Sequence, residues 1–208
     1  MTLWGEFVKS EKTVGSRRAF VGAGVLALAA PLLGARQAVA DGSVGASTAV
    51  DAERMRSLIA FTMLTMDTPH PVPYGAEIFN TKTSESLMRA VNSVHEENDP
   101  SAHGEVHTIR LTCAKIKSPW LRGYTLYTTC EPCPMCMACC LWAGLDRVVY
   151  GATIADAAKY GSQIMIPSAE VARRTDMHCE VVGPVERERA LELFTNEKMQ
   201  AVMKKWKH

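Results

Sequence analysis

The sequence contains no apolar run long enough to cross a bilayer. The longest, ending near Leu33, is about 15 residues, against the roughly 20 a membrane helix needs. It also has no real excess of charge: 23 Lys and Arg stand against 22 Asp and Glu, a formal net of +1. That small excess comes from the first 40 residues, where Lys9, Lys12, Arg17, Arg18 and Arg36 face only Glu6 and Glu11. Residues 41–208 hold 18 basic and 20 acidic side chains, which argues against a nucleic-acid-binding surface. A short basic tail, Lys204, Lys205 and Lys207, reads as a solvated helix end. There is no internal repeat and no second domain. An apolar fraction of 47% is enough to build a core.

The N-terminus reads as an address. Ser16-Arg17-Arg18-Ala19-Phe20-Val21 leads into the Ala-, Gly- and Leu-rich run, and Ala38-Val39-Ala40 fits a small-x-small cleavage site. Paired arginines, a short apolar segment and that tripeptide make residues 1–40 a twin-arginine export signal. The expected location is periplasmic or secreted, with the export machinery as a partner and membrane anchoring if the signal stays uncleaved. No cysteine lies near the cleavage site, which disfavours a lipid anchor there. The twin-arginine route passes folded, loaded proteins, which would keep Cys-x-x-Cys thiolates from closing into a disulfide outside. Residues 41–50 are small and polar, a linker, and residues 51–208 form the working domain.

Within that domain, Met55, Leu58, Ile59 and Met63 recur at helical spacing and predict a helix from Asp51 to about Met66. Tyr74 to Phe79 and Leu87 to Val91 read as a hairpin around Thr81-Lys82-Thr83-Ser84, followed by a polar loop from Asn92 to Pro100. A helix is expected from His103 to about Ile116, a strand at Tyr124–Thr129, a helix from near Pro132 to Ala143 and a strand at Arg147–Gly151. Ser168–Arg174 and Val185 to about Trp206 read as helices, with a short strand at Glu180–Val182. Alternating strands and helices predict an α/β layered sandwich.

The chemistry concentrates in two stretches, His103-Gly104-Glu105 and Cys130-Glu131-Pro132-Cys133-Pro134-Met135-Cys136. They match the H-x-E…P-C-x-x-C pattern. Zinc takes imidazole nitrogen and thiolate sulfur in tetrahedral geometry, and a catalytic site keeps one position open. His103, Cys133 and Cys136 supply three ligands for one Zn2+ per chain, and a bound water would fill the fourth position. A helix start suits the two thiolates. Glu105 stands close enough to handle a proton without being a ligand. Cys130, Cys133, Cys136 and Cys140 also fit the C-x2-C-x2-C-x3-C run of bacterial ferredoxins, which keeps an iron–sulfur reading open. Against it, Leu141 stands where proline should follow, and there is no second cysteine run. A structural zinc in a binding protein is a further alternative, which leaves Glu105 without a job. His107, on the same helix face as His103, reads as a packing or surface residue, and the cysteines at 113, 130, 139, 140 and 179 as small buried side chains.

From about Asp51 to Phe194 the chain resembles the cytidine/deoxycytidylate deaminase superfamily. It is most similar to the branch of guanine deaminases, fungal cytosine deaminase and tRNA adenosine deaminases. Asn92, Asn98 to Glu105, Leu126 to Cys136, Trp142-Ala143-Gly144 and Val148 to Ala152 carry the likeness. The resemblance implies a three-layer α/β/α sandwich with a central five-stranded mixed sheet, and hydrolytic deamination of an amino-heterocycle. It implies that Glu105 is the proton shuttle, that Asn92 orients the base, and that the backbone around Cys130 to Cys133 contacts the reacting groups. It also implies a homodimer. The pocket is expected along Ile154 to Ile166, with Asp156 and Gln163 as contacts and Tyr160 or Phe194 covering the ring. Asn98-Asp99-Pro100 and Asp156-Ala157-Ala158 favour guanine, although Gln163-Ile164 stands where guanine deaminases place an acid. Gly104 favours cytosine. The acidic balance of residues 41–208 and the export signal disfavour tRNA as the substrate.

Overall fold

The computed structural model describes residues 45–205. The expected export signal, the first part of the linker and Trp206 lie outside the described residues. Five strands form one sheet: β1 (Gly75–Asn80), β2 (Ser86–Val91), β3 (Tyr124–Cys130), β4 (Arg147–Ala152) and β5 (Glu180–Val182). Their order is β2-β1-β3-β4-β5. β1 runs antiparallel to β2 and β3, whereas β3, β4 and β5 are parallel, so the sheet is mixed as expected.

The helices cover both faces. α1 (Ala49–Met63), α7 (Arg187–Thr195) and α8 (Glu197–Met203) lie on one side; α3 (Gly104–Ile116), α4 (Pro134–Ala143) and α6 (Ser168–Arg173) lie on the other. Two four-residue helices, α2 (Val94–Glu97) and α5 (Ile154–Ala157), complete the set. Successive strand residues point to opposite faces. Thus Leu126 and Val148 pack with Ile78, Met137 and Leu145, while Tyr127 and Val149 pack with Met55, Leu58, Leu193 and Phe194. No helix among the described residues is long and apolar enough to cross a membrane.

The structure moves several expected boundaries. The linker ends sooner, because Thr48 caps α1 through a reciprocal pair with Asp51, and the Gly45 amide already donates to Val181 on β5. The expected polar loop after β2 contains α2. The expected single helix from Val185 breaks at Asn196, whose extended backbone and side-chain bond to the Lys198 amide end α7 and start α8. At Gly151 the sheet and α7 approach so closely that a Cβ would lie 2.6 Å from the Thr129 carbonyl oxygen and 2.8 Å from the Ala190 Cβ.

One buried polar cluster ties α1 to the sheet. Asp51 Oδ1 accepts from the Tyr127 hydroxyl and from Arg147 Nη1, both at 2.6 Å, and Oδ2 accepts from Arg147 Nη2 at 3.0 Å. Arg147 also reaches Glu180 on β5 at 2.8 Å. Burial alone would raise the Asp51 carboxyl; Arg147, Tyr127 and Thr48 instead hold it well below the usual carboxylate range. Its stabilisation is therefore present at neutral pH, above the unfolded value of about 3.9, and is lost as acid drives the pH down through the folded value. Asp51→Ala leaves Arg147 buried without its partner. Denaturant unfolding should show a loss of roughly 3 kcal/mol at pH 7, shrinking at pH 3.

Candidate metal centre and active site

Two helices begin at the same place. β3 ends at Cys130, and α4 starts at Pro134 after only three connecting residues. Proline suits this first helical position because its missing N–H would have no helical acceptor there. Cys133 is the N-cap of α4, and Cys136 follows three residues on, on the same helix face. His103 is the N-cap of α3, with Glu105 in its first turn. α3 and α4 pack side by side, so the positive ends of both helices meet at these side chains.

His103 Nδ1 lies 3.8 Å from Cys133 Sγ and 3.5 Å from Cys136 Sγ, and the two sulfurs are 3.6 Å apart. Tetrahedral zinc, with bonds of about 2.3 Å to sulfur and 2.0–2.1 Å to nitrogen, requires sulfur–sulfur and sulfur–nitrogen separations of about 3.8 and 3.6 Å. The three donors fit that ion. Among the described residues they are the one group of three or more His, Cys, Asp or Glu side chains gathered this closely. The iron–sulfur run is not assembled. Cys130 Sγ faces the Thr153 carbonyl at 3.9 Å, and Cys140, on α4, is fully buried in the core.

The donors share protons. The Cys136 thiol hydrogen-bonds Cys133, and together with His103 this holds Cys133 down to about 4 despite its burial. The same bond, and then burial, push Cys136 up. Contact with Cys133 raises His103 against the opposing effect of burial. Glu105 is 6% exposed; burial first, then the Cys133 thiolate, push its carboxyl up.

The other expected contacts fare differently. Asn92 lies beside the start of α3, where a Cβ on Gly104 would stand 3.5 Å from its backbone nitrogen; its backbone amide donates to the Tyr74 carbonyl at 2.9 Å, and its Oδ1 accepts from the Val94 amide at 3.2 Å. Its Nδ2 makes no hydrogen bond among the described residues. Gly104 packs against the same strand entry, where a Cβ would stand 3.0 Å from the Tyr74 carbonyl oxygen, so close backbone approach explains the glycine. Near Cys130, the Glu131 amide is bound to the Ala152 carbonyl at 2.7 Å and Pro132 has no N–H. Cys133 therefore carries the amide left for a reacting group.

Asp156 is not a pocket contact. It is 2% exposed, caps α5 in a reciprocal pair with Thr153, and receives Arg187 at 2.6 and 2.8 Å. Arg187 first, and then Thr153 and Lys159, hold its carboxyl well below the usual range against burial. Phe194 is fully buried behind Tyr74 and Tyr160, at centroid distances of 5.6 and 5.8 Å, and supports the site from the core. His107 bonds Ser93 at 2.9 Å and holds the loop that carries Asn92.

Two residues at the site escaped the sequence reading. The Tyr74 hydroxyl accepts from Gln163 Nε2 at 3.3 Å, which brings Gln163 to the site edge. Burial, followed by the negative charge of Cys130, raises the Tyr74 phenol, and Glu105 and Cys133 add to that field. Glu131, between the strand end and the cysteines, is buried with its carboxylate accepting three hydrogen bonds.

Comparison with known proteins agrees with this site. The model of the cytidine and deoxycytidylate deaminase zinc-binding region matches residues 50–152. A guanine deaminase of Bacillus subtilis is 42% identical over 89 residues, covering 43% of this chain and 56% of that protein. A tRNA-specific adenosine deaminase of Aquifex aeolicus is 38% identical over 81 residues, covering 39% of this chain and 52% of its own length. The chain thus spans about half the length of the curated relatives it matches. A solved guanine deaminase from Nitrosomonas europaea shares the fold, with a TM-score of 0.63 and 20% identity over 76% of this chain and 87% of that one.

Zinc-loaded protein should hold one ion per chain by atomic emission. His103→Ala and Cys136→Ala should each weaken zinc binding by more than about 100-fold, beyond the 10–100-fold range typical of outer-shell losses.

Proposed function

We propose that the chain, whose residues 50–152 match the zinc-binding region of cytidine and deoxycytidylate deaminases, hydrolyses the exocyclic amine of a free nucleobase, nucleoside or related amino-heterocycle, of guanine or cytosine type. The observation that carries this reading is the buried carboxyl of Glu105 two residues from His103, beside a donor set spaced for zinc. A metal ion alone would need only the three donors; a buried acid next to them has a proton to move.

Zinc held by His103, Cys133 and Cys136 supplies a Lewis acid that makes water nucleophilic near neutral pH. The chain's own residues do the rest. Glu105 takes a proton from the attacking water and delivers it to a ring nitrogen, which makes the amine-bearing carbon electrophilic. It then takes the second proton, from the hydroxyl newly added to that carbon, and passes it to the departing amine. The carbon–nitrogen bond breaks, the carbonyl forms, and one water and one substrate give the oxo product and ammonia. Asn92 Nδ2 donates to the ring edge, and the Tyr74–Gln163 pair closes one side of the site.

The guanine deaminase relative and the near balance of charge in residues 41–208 support a small substrate. The tRNA-specific relatives support the second reading, adenosine in tRNA. Export by the twin-arginine route and work as a homodimer belong to the same proposal. The paired arginines support the first, and the exposed Met135, Trp142, Ile164, Met165 and Ile166 give the second an apolar face.

The test is ammonia release by zinc-loaded protein offered cytosine, guanine, adenine, their nucleosides and a tRNA stem-loop. One small base or nucleoside should turn over, and Glu105→Ala should lower kcat by about 10²–10⁴-fold with zinc retained. Turnover of the stem-loop alone would move the reading to tRNA. Zinc binding with no turnover of any substrate, and no difference in Glu105→Ala, would make the metal a structural brace.

A further inference from the structure

Glu131 is 9% exposed, and no Lys, Arg or His pairs with it among the described residues. Its Oε2 accepts from the Ile154 amide at 3.0 Å, and its Oε1 accepts from the Ser168 amide at 2.9 Å and the Ser168 hydroxyl at 3.0 Å. Ile154 opens α5 and Ser168 opens α6. One carboxylate therefore gathers two chain positions 14 residues apart, with their amide nitrogens within roughly 8 Å of each other, as in a closed surface loop.

The chain between them carries Gln163, whose amide reaches the Tyr74 hydroxyl, and the exposed Ile164, Met165 and Ile166. From Gly161 to Pro167 it has no regular secondary structure. Glu131 is fixed at its own end too, since its amide donates to Ala152, the last residue of β4. It directly follows Cys130 and stands two residues before Cys133.

The donors explain the residue type. Two N–H groups and an O–H converge, so the partner must accept only. An ionised carboxylate does this with both oxygens, whereas glutamine would turn an –NH2 group against one of the donors.

We propose that Glu131 is a positioning residue that sets the segment from Ile154 to Ser168 against the metal-binding loop and so fixes the pocket wall that selects the substrate. The inference rests on the deaminase reading for its effect on substrate, but not for its effect on the segment.

The test uses the full zinc-loaded chain and two variants. Glu131→Gln breaks the carboxylate side of the tie. Ser168→Pro removes both Ser168 donors while keeping the carboxylate; the first turn of α6 accepts proline, and Pro167, at φ −58° and ψ 143°, has the extended backbone a following proline needs. In both variants zinc should stay at one per chain. Hydrogen exchange across residues 154–168 should speed up by about tenfold or more, the scale of a lost buried hydrogen bond. KM should rise by about tenfold while kcat stays within about threefold, with rejected bases gaining relative to the preferred one.

Unchanged exchange in both variants overturns the proposal. So does faster exchange with an unchanged KM, which would make the tie structural only. Loss of zinc with a collapse of kcat would assign Glu131 to the metal centre instead. If the wild-type chain turns over no base, the deaminase reading fails, and exchange still decides whether Glu131 holds the segment.

Discussion

The arrangement depends on bringing three electron-rich donors within 4 Å of one another under protein cover. Two helix starts achieve this, each delivering its N-cap residue to the same point. The sheet dictates where those starts lie. β3 and β4 are parallel neighbours, so α4 must begin at the end of β3 and cross back over one face. α3 shares that face and enters over β1 and β2. The glycine at 104 lets its first turn rest against the chain entering β1, and His107 pins the loop before it. Loosening any of these contacts moves His103 relative to the cysteines.

Charge follows the same plan. Five carboxylates are buried among the described residues: Asp51, Glu77, Glu105, Glu131 and Asp156. Arginine neutralises three of them, with Arg147 on Asp51, Arg89 on Glu77 and Arg187 on Asp156. The remaining two, Glu105 and Glu131, have no arginine and flank the cysteine–histidine group in sequence and space. Burying anions without partners is costly, so their persistence needs a local reason. For Glu105 that reason is the divalent cation its neighbours are spaced to hold; for Glu131 it is three converging donors.

Much of this was legible in the sequence. Strand alternation and helical spacing located the sheet and the main helices, because those signals come from neighbours along the chain. The metal ligands were legible because their spacing encodes their geometry. Elements that depend on distant partners were not. Tyr74 read as the start of a strand, since its partner Gln163 lies 89 residues on. Glu131 read as part of a motif, since its donors come 23 and 37 residues later. Asp156 reads along the chain as a contact because the arginine that pairs with it stands 31 residues on, in α7. A local signal was available there: Thr153 three residues before Asp156 is a helix-capping pattern, and α5 escaped because four residues show no periodicity. The break at Asn196 was likewise hidden inside an apolar pattern that continues through both α7 and α8.

The gap at Gly151 sets the thickness of the molecule on that side. With no room for even one methyl group between β4, the Thr129 carbonyl and Ala190, the distance from sheet to helix is at its lower limit. Every single-base change in a glycine codon that yields another amino acid adds at least that methyl group. The position is thus closed to ordinary mutational drift unless α7 has already moved outward, and Phe194, carried on α7, would move away from Tyr74 with it. The back wall of the active site and the mutability of a glycine on the strand behind it are set by the same few tenths of a nanometre.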